Sequence, residues 1–247
     1  MKRKCPLEIT SAGLHILAMA LMLCDHAWAT VVPGNDWLNC VGRLAFPIFA
    51  FMLVEGYFHT RSVKKYMLRM LVFALISEIP FNLMVGGGLF YPVHQNVLWT
   101  FLIALLMIHW NEKAKDTGKP WLWILVAIGT MLLGSLVGLL TMVDYYHAGV
   151  LMVLVFYFFR GRDWWHAAAQ LVLLWWINAE VLGGIGYEFT LLGRNFFLAR
   201  QSFAVLALIP IWLYRGKQGY HSKWFQYLCY GFYPAHMLLL RLLRIWL

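Results

Sequence analysis

Nine apolar stretches follow one another along this chain, at about 12 to 32, 44 to 60, 67 to 85, 97 to 110, 121 to 142, 148 to 160, 165 to 182, 197 to 214 and 227 to 247, with only short links between them. A chain patterned this way has too little polar surface to face water. Its charged share is 13% against 62% hydrophobic residues, well below the roughly 25% charged residues of a soluble domain. At about 20 residues per crossing, 247 residues accommodate eight to ten spans and no separate soluble domain. Lipid offers backbone groups no hydrogen-bond partner, so each span must satisfy its own. The expectation is therefore an all-α, polytopic transmembrane helix bundle of about nine spans, folded as one domain over residues 1–247. Disorder, fibrous repeats and a secreted disulfide scaffold are excluded.

The net charge of +9 would suggest nucleic acid in a soluble chain. Here the lipid bilayer is the partner, and the useful question is where the Lys and Arg lie. They gather at the N-terminus (Lys2, Arg3, Lys4) and in alternate links, namely Arg61, Lys64, Lys65 and Arg69, then Lys113, Lys115 and Lys119, then Arg160 and Arg162, then Arg215, Lys217 and Lys223. The positive-inside rule makes these segments cytoplasmic, with the N-terminus inside and the C-terminus outside. Arg43, Arg194 and Arg200 fall in the opposite set, and Arg241 and Arg244 can snorkel to the outer end of the last run. Runs four and six are shorter than a full crossing, and the side of the C-terminus depends on both of them crossing. Asp25-His26 interrupts the first run and no small-residue cleavage site follows it, so it is read as helix one. Cys5, Cys24, Cys40 and Cys229 have no CxxC spacing and are expected as free thiols.

An ionisable group in the bilayer costs roughly 2.5–3.5 kcal/mol, so each one present needs a reason. Asp25 and His26 lie late in run one, Glu78 and Asn82 late in run three, Asn96 at the start of run four, and Asp144 and His147 between runs five and six. Glu55 and His236 also fall within runs, and Arg43 lies at the level of Asp25. On the expected topology most of these share the outer half of the membrane, which predicts a polar cavity opening outward. Interhelical hydrogen bonding is the alternative for any one of them. Neighbouring side chains on a helix diverge by about 100°, so Asp25 is not placed to orient His26. The orienting acid is expected from another helix, with Glu55, Glu78 or Asp144 as candidates, while Asp25 is free to pair with Arg43. A histidine so held can act as a general base at neutral pH. No HExxH, Cys/His cluster or phosphate-binding loop occurs, so no metal is expected.

The segments carrying these residues have a family likeness. Leu21-Met22-Leu23-Cys24-Asp25-His26, Val41-Gly42-Arg43-Leu44-Ala45-Phe46-Pro47, Glu55-Gly56-Tyr57-Phe58-His59, Ser77-Glu78-Ile79-Pro80-Phe81-Asn82, Gln95-Asn96-Val97, Asp144-Tyr145-Tyr146-His147-Ala148-Gly149 and Tyr233-Pro234-Ala235-His236 resemble, in order, the TraX family of bacterial membrane proteins. That family is associated with N-terminal acetylation of pilin. More distantly, the chain is similar to membrane acyltransferases that include the heparan-α-glucosaminide N-acetyltransferases, in which an early-helix histidine is essential. The resemblance implies an acetyltransferase in the bacterial cytoplasmic membrane, with acetyl-CoA or another acyl-CoA as donor. It assigns His26 as the catalytic histidine, Asp25 as its neighbour and Arg43 to the Gly-Arg position; Glu55, Glu78, Asn82, Asn96, Asp144, His147 and His236, singled out above as polar residues in or beside the runs, are expected as the supporting polar cluster. The acceptor would be an amine or hydroxyl on a glycan, lipid, small molecule or protein N-terminus. Arg61, Lys64, Lys65 and Arg69 would meet the phosphates of the donor, unless they serve only as positive-inside anchors. Arg43, or a backbone N–H freed where Phe46-Pro47 interrupts helix two, would meet the oxyanion. A proton-coupled transporter and a non-catalytic partner of an envelope or conjugation apparatus are the rival classes.

Overall fold

The computed structural model describes residues 8–247, so Lys2, Arg3, Lys4 and Cys5 lie outside the described residues. Helix α1 (Ser11–Thr30) starts where the Thr10 hydroxyl accepts a hydrogen bond from the Gly13 amide. Next come α2 (Asp36–Gly42) and α3 (Ala45–His59), one continuous run broken at Arg43 and Leu44. Helix α4 (Val63–Val85) is capped by Ser62, α5 (Val97–Asp116) by Asn96, and α6 (Pro120–Leu140) begins on a proline that needs no donor there. Helix α7 (Tyr146–Phe158) and α8 (Trp164–Trp176) follow, the latter ending in a π-helical turn, Ile177–Leu182. Strands β1 (Gly186–Leu191) and β2 (Arg194–Ala199) form an antiparallel hairpin. A 3-10 segment, Arg200–Ala207, leads into α9 (Leu208–Leu213), and α10 (Lys223–Trp246) completes the chain.

Two expectations are corrected. The chain is not all-α, because Leu192 and Gly193, both at positive φ, turn the segment before α9 into the hairpin. Nor do the described residues supply nine helices that are both long and apolar enough to cross a membrane. Among the described residues four helical segments are long and apolar enough to cross a membrane: Ser11–Thr30, Asp36–His59, Val63–Val85 and Pro120–Leu140. Helix α7 has 13 residues, about 20 Å at 1.5 Å per residue, against about 30 Å of hydrocarbon. The reason for its brevity is its position. Nine of its residues are buried, and it packs on α3, α5 and α6, so its apolar character serves the protein interior.

Helix α6 shows the opposite arrangement. Its buried residues are Thr130, Gly134 and Gly138, one stripe at four-residue spacing, and a Cβ on Gly138 would lie 2.9 Å from the Tyr146 carbonyl oxygen of α7. Much of the rest of its surface is apolar and exposed, as at Ile124, Leu125, Ile128, Leu132 and Leu136. Such a surface is that of a membrane protein.

Successive long elements run in alternate directions, which sorts the links into two ends. One end holds the start of α1, the α3–α4, α5–α6 and α7–α8 links and the α9–α10 connection. It is tied by Arg160 to Glu55 (2.6 Å), Tyr157 to Glu112 (2.7 Å) and the Ser11 amide to the Lys217 carbonyl (2.9 Å). Arg61, Lys64, Lys65, Lys113, Lys115, Arg160, Arg162 and Lys217 all belong to it. The hairpin and the polar residues around Asp25 belong to the other.

Candidate functional site

The site begins with a close approach. A Cβ on Gly42 would lie 2.4 Å from the Asp25 Cβ and 2.7 Å from its Cα, so only glycine lets α2 reach α1 at this height. The approach aligns Asn39 and Arg43, one helical turn apart, with the Asp25 carboxylate. Asn39 Nδ2 donates to Asp25 Oδ1 at 2.8 Å, and Arg43 donates to the same oxygen at 2.8 Å. The expected Asp25–Arg43 pair is thus formed, with side chains 16% and 22% exposed. Arg43 also donates to Gln201 Oε1 (3.2 Å), Gln201 Nε2 donates to Asn178 Oδ1 (2.8 Å), and Asn178 returns a bond to the Leu174 carbonyl. The π-helical turn and the start of the 3-10 segment are in this way fastened to the α2–α3 break.

The break itself falls three residues earlier than the sequence suggested. Pro47 sits in the first turn of α3, where its missing N–H disrupts nothing, and the chain is interrupted at Arg43 and Leu44 instead.

His26 lies on a different face of α1 from Asp25 and points to α10. Its Nδ1 is 2.7 Å from His236 Nε2, and the rings are within 10° of coplanar with centroids 4.9 Å apart, an edge-to-edge alignment. His236 Nδ1 is 2.8 Å from the Phe232 carbonyl oxygen, which only accepts. These contacts assign both tautomers. His236 carries its proton on Nδ1, its Nε2 therefore accepts, and His26 must donate from Nδ1. His26 Nε2 is left with a free lone pair and makes no hydrogen bond among the described residues. The orienting group is thus a histidine, not one of the acids expected.

Asp144 stands nearby in the link before α7. Its Oδ1 accepts from the Tyr145 amide (3.1 Å) and lies 3.3 Å from His94 Nε2, and that hydrogen bond draws the His94 pKa above its ordinary value. Met142, Tyr145 and Tyr146 all take positive φ here, a concentration of backbone strain in non-glycine residues. A cavity of about 310 Å³ opens at this end, lined among others by Trp28, Arg43, His94, Asp144, Tyr145 and Gln201. His26 is not among the lining residues.

The remaining expected residues separate into three groups. Asn96 caps α5 and donates to the Ala74 carbonyl and to Glu78, which Trp99 Nε1 also reaches at 3.0 Å; the other Glu78 oxygen is buried without a partner. Asn82 holds the 86–96 link through the Leu89 carbonyl (3.2 Å), and His147 Nδ1 is buried and unpaired. Glu55 stands apart, at the basic end on Arg160, and cannot serve the cluster. Arg61, Lys64, Lys65 and Arg69 are exposed at that same end. The 15 residues of α3 separate them from Arg43, about 22 Å of helix. Asn39, His94, Tyr145 and Gln201 were not anticipated. For Asn39 a signal existed, its i,i+4 spacing to Arg43.

The chain is 33% identical to the "Probable fimbrial assembly protein FimC, serogroup H1" of Dichelobacter nodosus over 41% of this chain and 46% of that protein, so it spans less than half of that relative's length. No solved structure matches. Residues 10–244 match the family described as TraX protein, from the first turn of α1 to the last of α10 and through every segment that builds the site. The chain belongs to the TraX family.

Proposed function

We propose that this protein is a multi-pass membrane acyltransferase, with its basic end in the cytoplasm, that moves an acetyl or other acyl group from acyl-CoA to an amine or hydroxyl acceptor at the opposite end. One observation carries the reading, namely that the His26–His236 contact leaves a bare lone pair on His26 Nε2 next in sequence to a half-buried Asp25–Arg43 pair. A thioester is already activated, so the protein has to supply a base and charge stabilisation. His26 Nε2 takes the proton of the acceptor N–H or O–H as that atom bonds to the acyl carbonyl carbon. The imidazolium that forms is shared with His236 through the Nδ1–H···Nε2 bond. As the C–S bond breaks, the proton passes from His26 to the departing CoA thiolate.

Arg43 is committed to Asp25 and Gln201, so its part is to hold the α2–α3 break in shape. Arg61, Lys64, Lys65 and Arg69 supply positive charge for the donor's phosphates, and the donor's acyl arm has to cover about one helix length to reach His26. The Dichelobacter relative, named as a probable fimbrial assembly protein, favours a second reading, a non-catalytic component of fimbrial assembly. Release of CoA thiol from acetyl-CoA by purified protein in detergent separates the two. We expect turnover that falls at least 100-fold in His26→Ala with unfolding temperature preserved, since a general base contributes about 10²–10⁴. No turnover by the wild type with any amine or hydroxyl acceptor, or an unaffected His26→Ala, overturns the proposal.

A further inference from the structure

The hairpin plays no part in the chemistry proposed above, yet its side chains are sorted by face. Pairing sets Tyr187 opposite Leu198, Phe189 opposite Phe196 and Leu191 opposite Arg194, and because side chains alternate along a strand these three pairs share one side. The other side carries Glu188, Thr190 and Asn195, the last two joined by a 2.8 Å hydrogen bond, with Phe197 as its one large apolar residue. Phe189 and Phe196 stack at 5.7 Å and are both left exposed by the described residues, and Leu192 at the tip is 95% exposed. An isolated two-stranded hairpin is marginal in water, so this apolar side needs a cover.

Its direction indicates which cover. At the base of the hairpin the Tyr187 hydroxyl lies 3.5 Å from Cys40 Sγ of α2, and the Arg200 guanidinium lies 5.2 Å from the Tyr187 ring. The apolar side therefore looks toward the bundle and the polar side away from it. At the same end Trp37, Trp175, Trp176 and Ile185 are also uncovered, continuing the apolar surface around the bundle. The single charge on the apolar side is cationic, Arg194 beside the tip, which complements a phosphodiester. Gly183 and Gly184, at φ +50° and +88°, let the chain leave the π-helical turn in a direction closed to other residues.

We propose that the hairpin Gly186–Ala199 lies in the bilayer interface at this end of the protein. Tyr187, Phe189, Leu191, Phe196 and Leu198 enter the boundary between headgroups and acyl chains, Arg194 meets lipid phosphate, and Glu188, Thr190 and Asn195 face water. Gly183, Gly184 and Arg200 flank the hairpin and also line the 310 Å³ cavity, so the lipid seat of the hairpin holds the cavity mouth at headgroup depth.

The test needs no catalytic activity. In full-length protein with its four cysteines replaced, a nitroxide is placed at Leu191→Cys or at Glu188→Cys and the protein is reconstituted in nanodiscs of phosphatidylcholine and phosphatidylglycerol. Relaxation by dissolved oxygen is compared with relaxation by a water-soluble nickel chelate. We expect oxygen to dominate several-fold at position 191 and the chelate to dominate at 188. Equal access of the chelate to both positions overturns the proposal. Shielding of 191 from both agents, with spin–spin broadening between copies, overturns it in favour of self-association.

Discussion

Asp25 and Arg43 neutralise one another at 2.8 Å, with Asn39 donating to the same carboxylate oxygen, and each charge depends on the other for its place in a low-dielectric site. Removal of one partner leaves the other buried and uncompensated, at a cost of roughly 3–5 kcal/mol, whereas loss of both removes the penalty along with the attraction. Asp25→Asn and Arg43→Gln are therefore each expected to lower stability on that order. The double variant should recover at least about 1 kcal/mol relative to the sum, as read by a double-mutant cycle of thermal or denaturant unfolding in detergent. Strict additivity is the result that contradicts the contact. This pair was legible in the sequence because depth in the membrane restricts an acid to very few cations. The partner of His26 was not. Proton bookkeeping suggested a carboxylate, whereas a second imidazole anchored on a backbone carbonyl sets the tautomer equally well, and the two residues lie 210 positions apart.

At the scale of elements, hydropathy located nearly every helix but said little about what each helix faces. Helices α6 and α7 read alike as apolar runs, yet one turns a single stripe of small residues to the protein and the other is surrounded by it. The hairpin was hidden because its tip is Leu192-Gly193, without the Asn-Gly that usually signals such a turn, and because β2 merges with the apolar run of α9. The α2–α3 break has a sharper consequence at Gly42. Gly42→Ala sets a methyl against the backbone of Asp25, so α2 must move away. We expect a loss of about 1–3 kcal/mol from overpacking, together with loss of acyl transfer, although no charged group has changed. Gly129→Ala in α6 meets no atom within 4 Å and serves as the control; it should be neutral or stabilising by up to about 1 kcal/mol. Equal effects at the two glycines would contradict the close approach as the cause.

Across the whole molecule, the two ends differ in charge and in chemistry. The separation was visible in the sequence as Lys and Arg in alternate links, and alternating helix directions bring those links together. If the basic end is cytoplasmic, a reporter fused after Lys115 should read inside and one at Gly87 outside, because α5 lies between them. The same reading at both positions would show that α5 does not cross. The chain order of the site has a temporal meaning as well. Asp25, Asn39 and Arg43 fall within one short stretch of chain, so loop closure opposes their meeting very little and the charge pair can form as soon as α2 emerges beside α1. Gln201 joins only after 158 further positions have been added beyond Arg43. His236, which aims the proposed base, arrives later still, with α10, 210 positions after His26. A nascent chain that has not yet reached α10 thus carries His26 and its neighbours in place but undirected, and the proposed site becomes competent only once α10 has packed on α1.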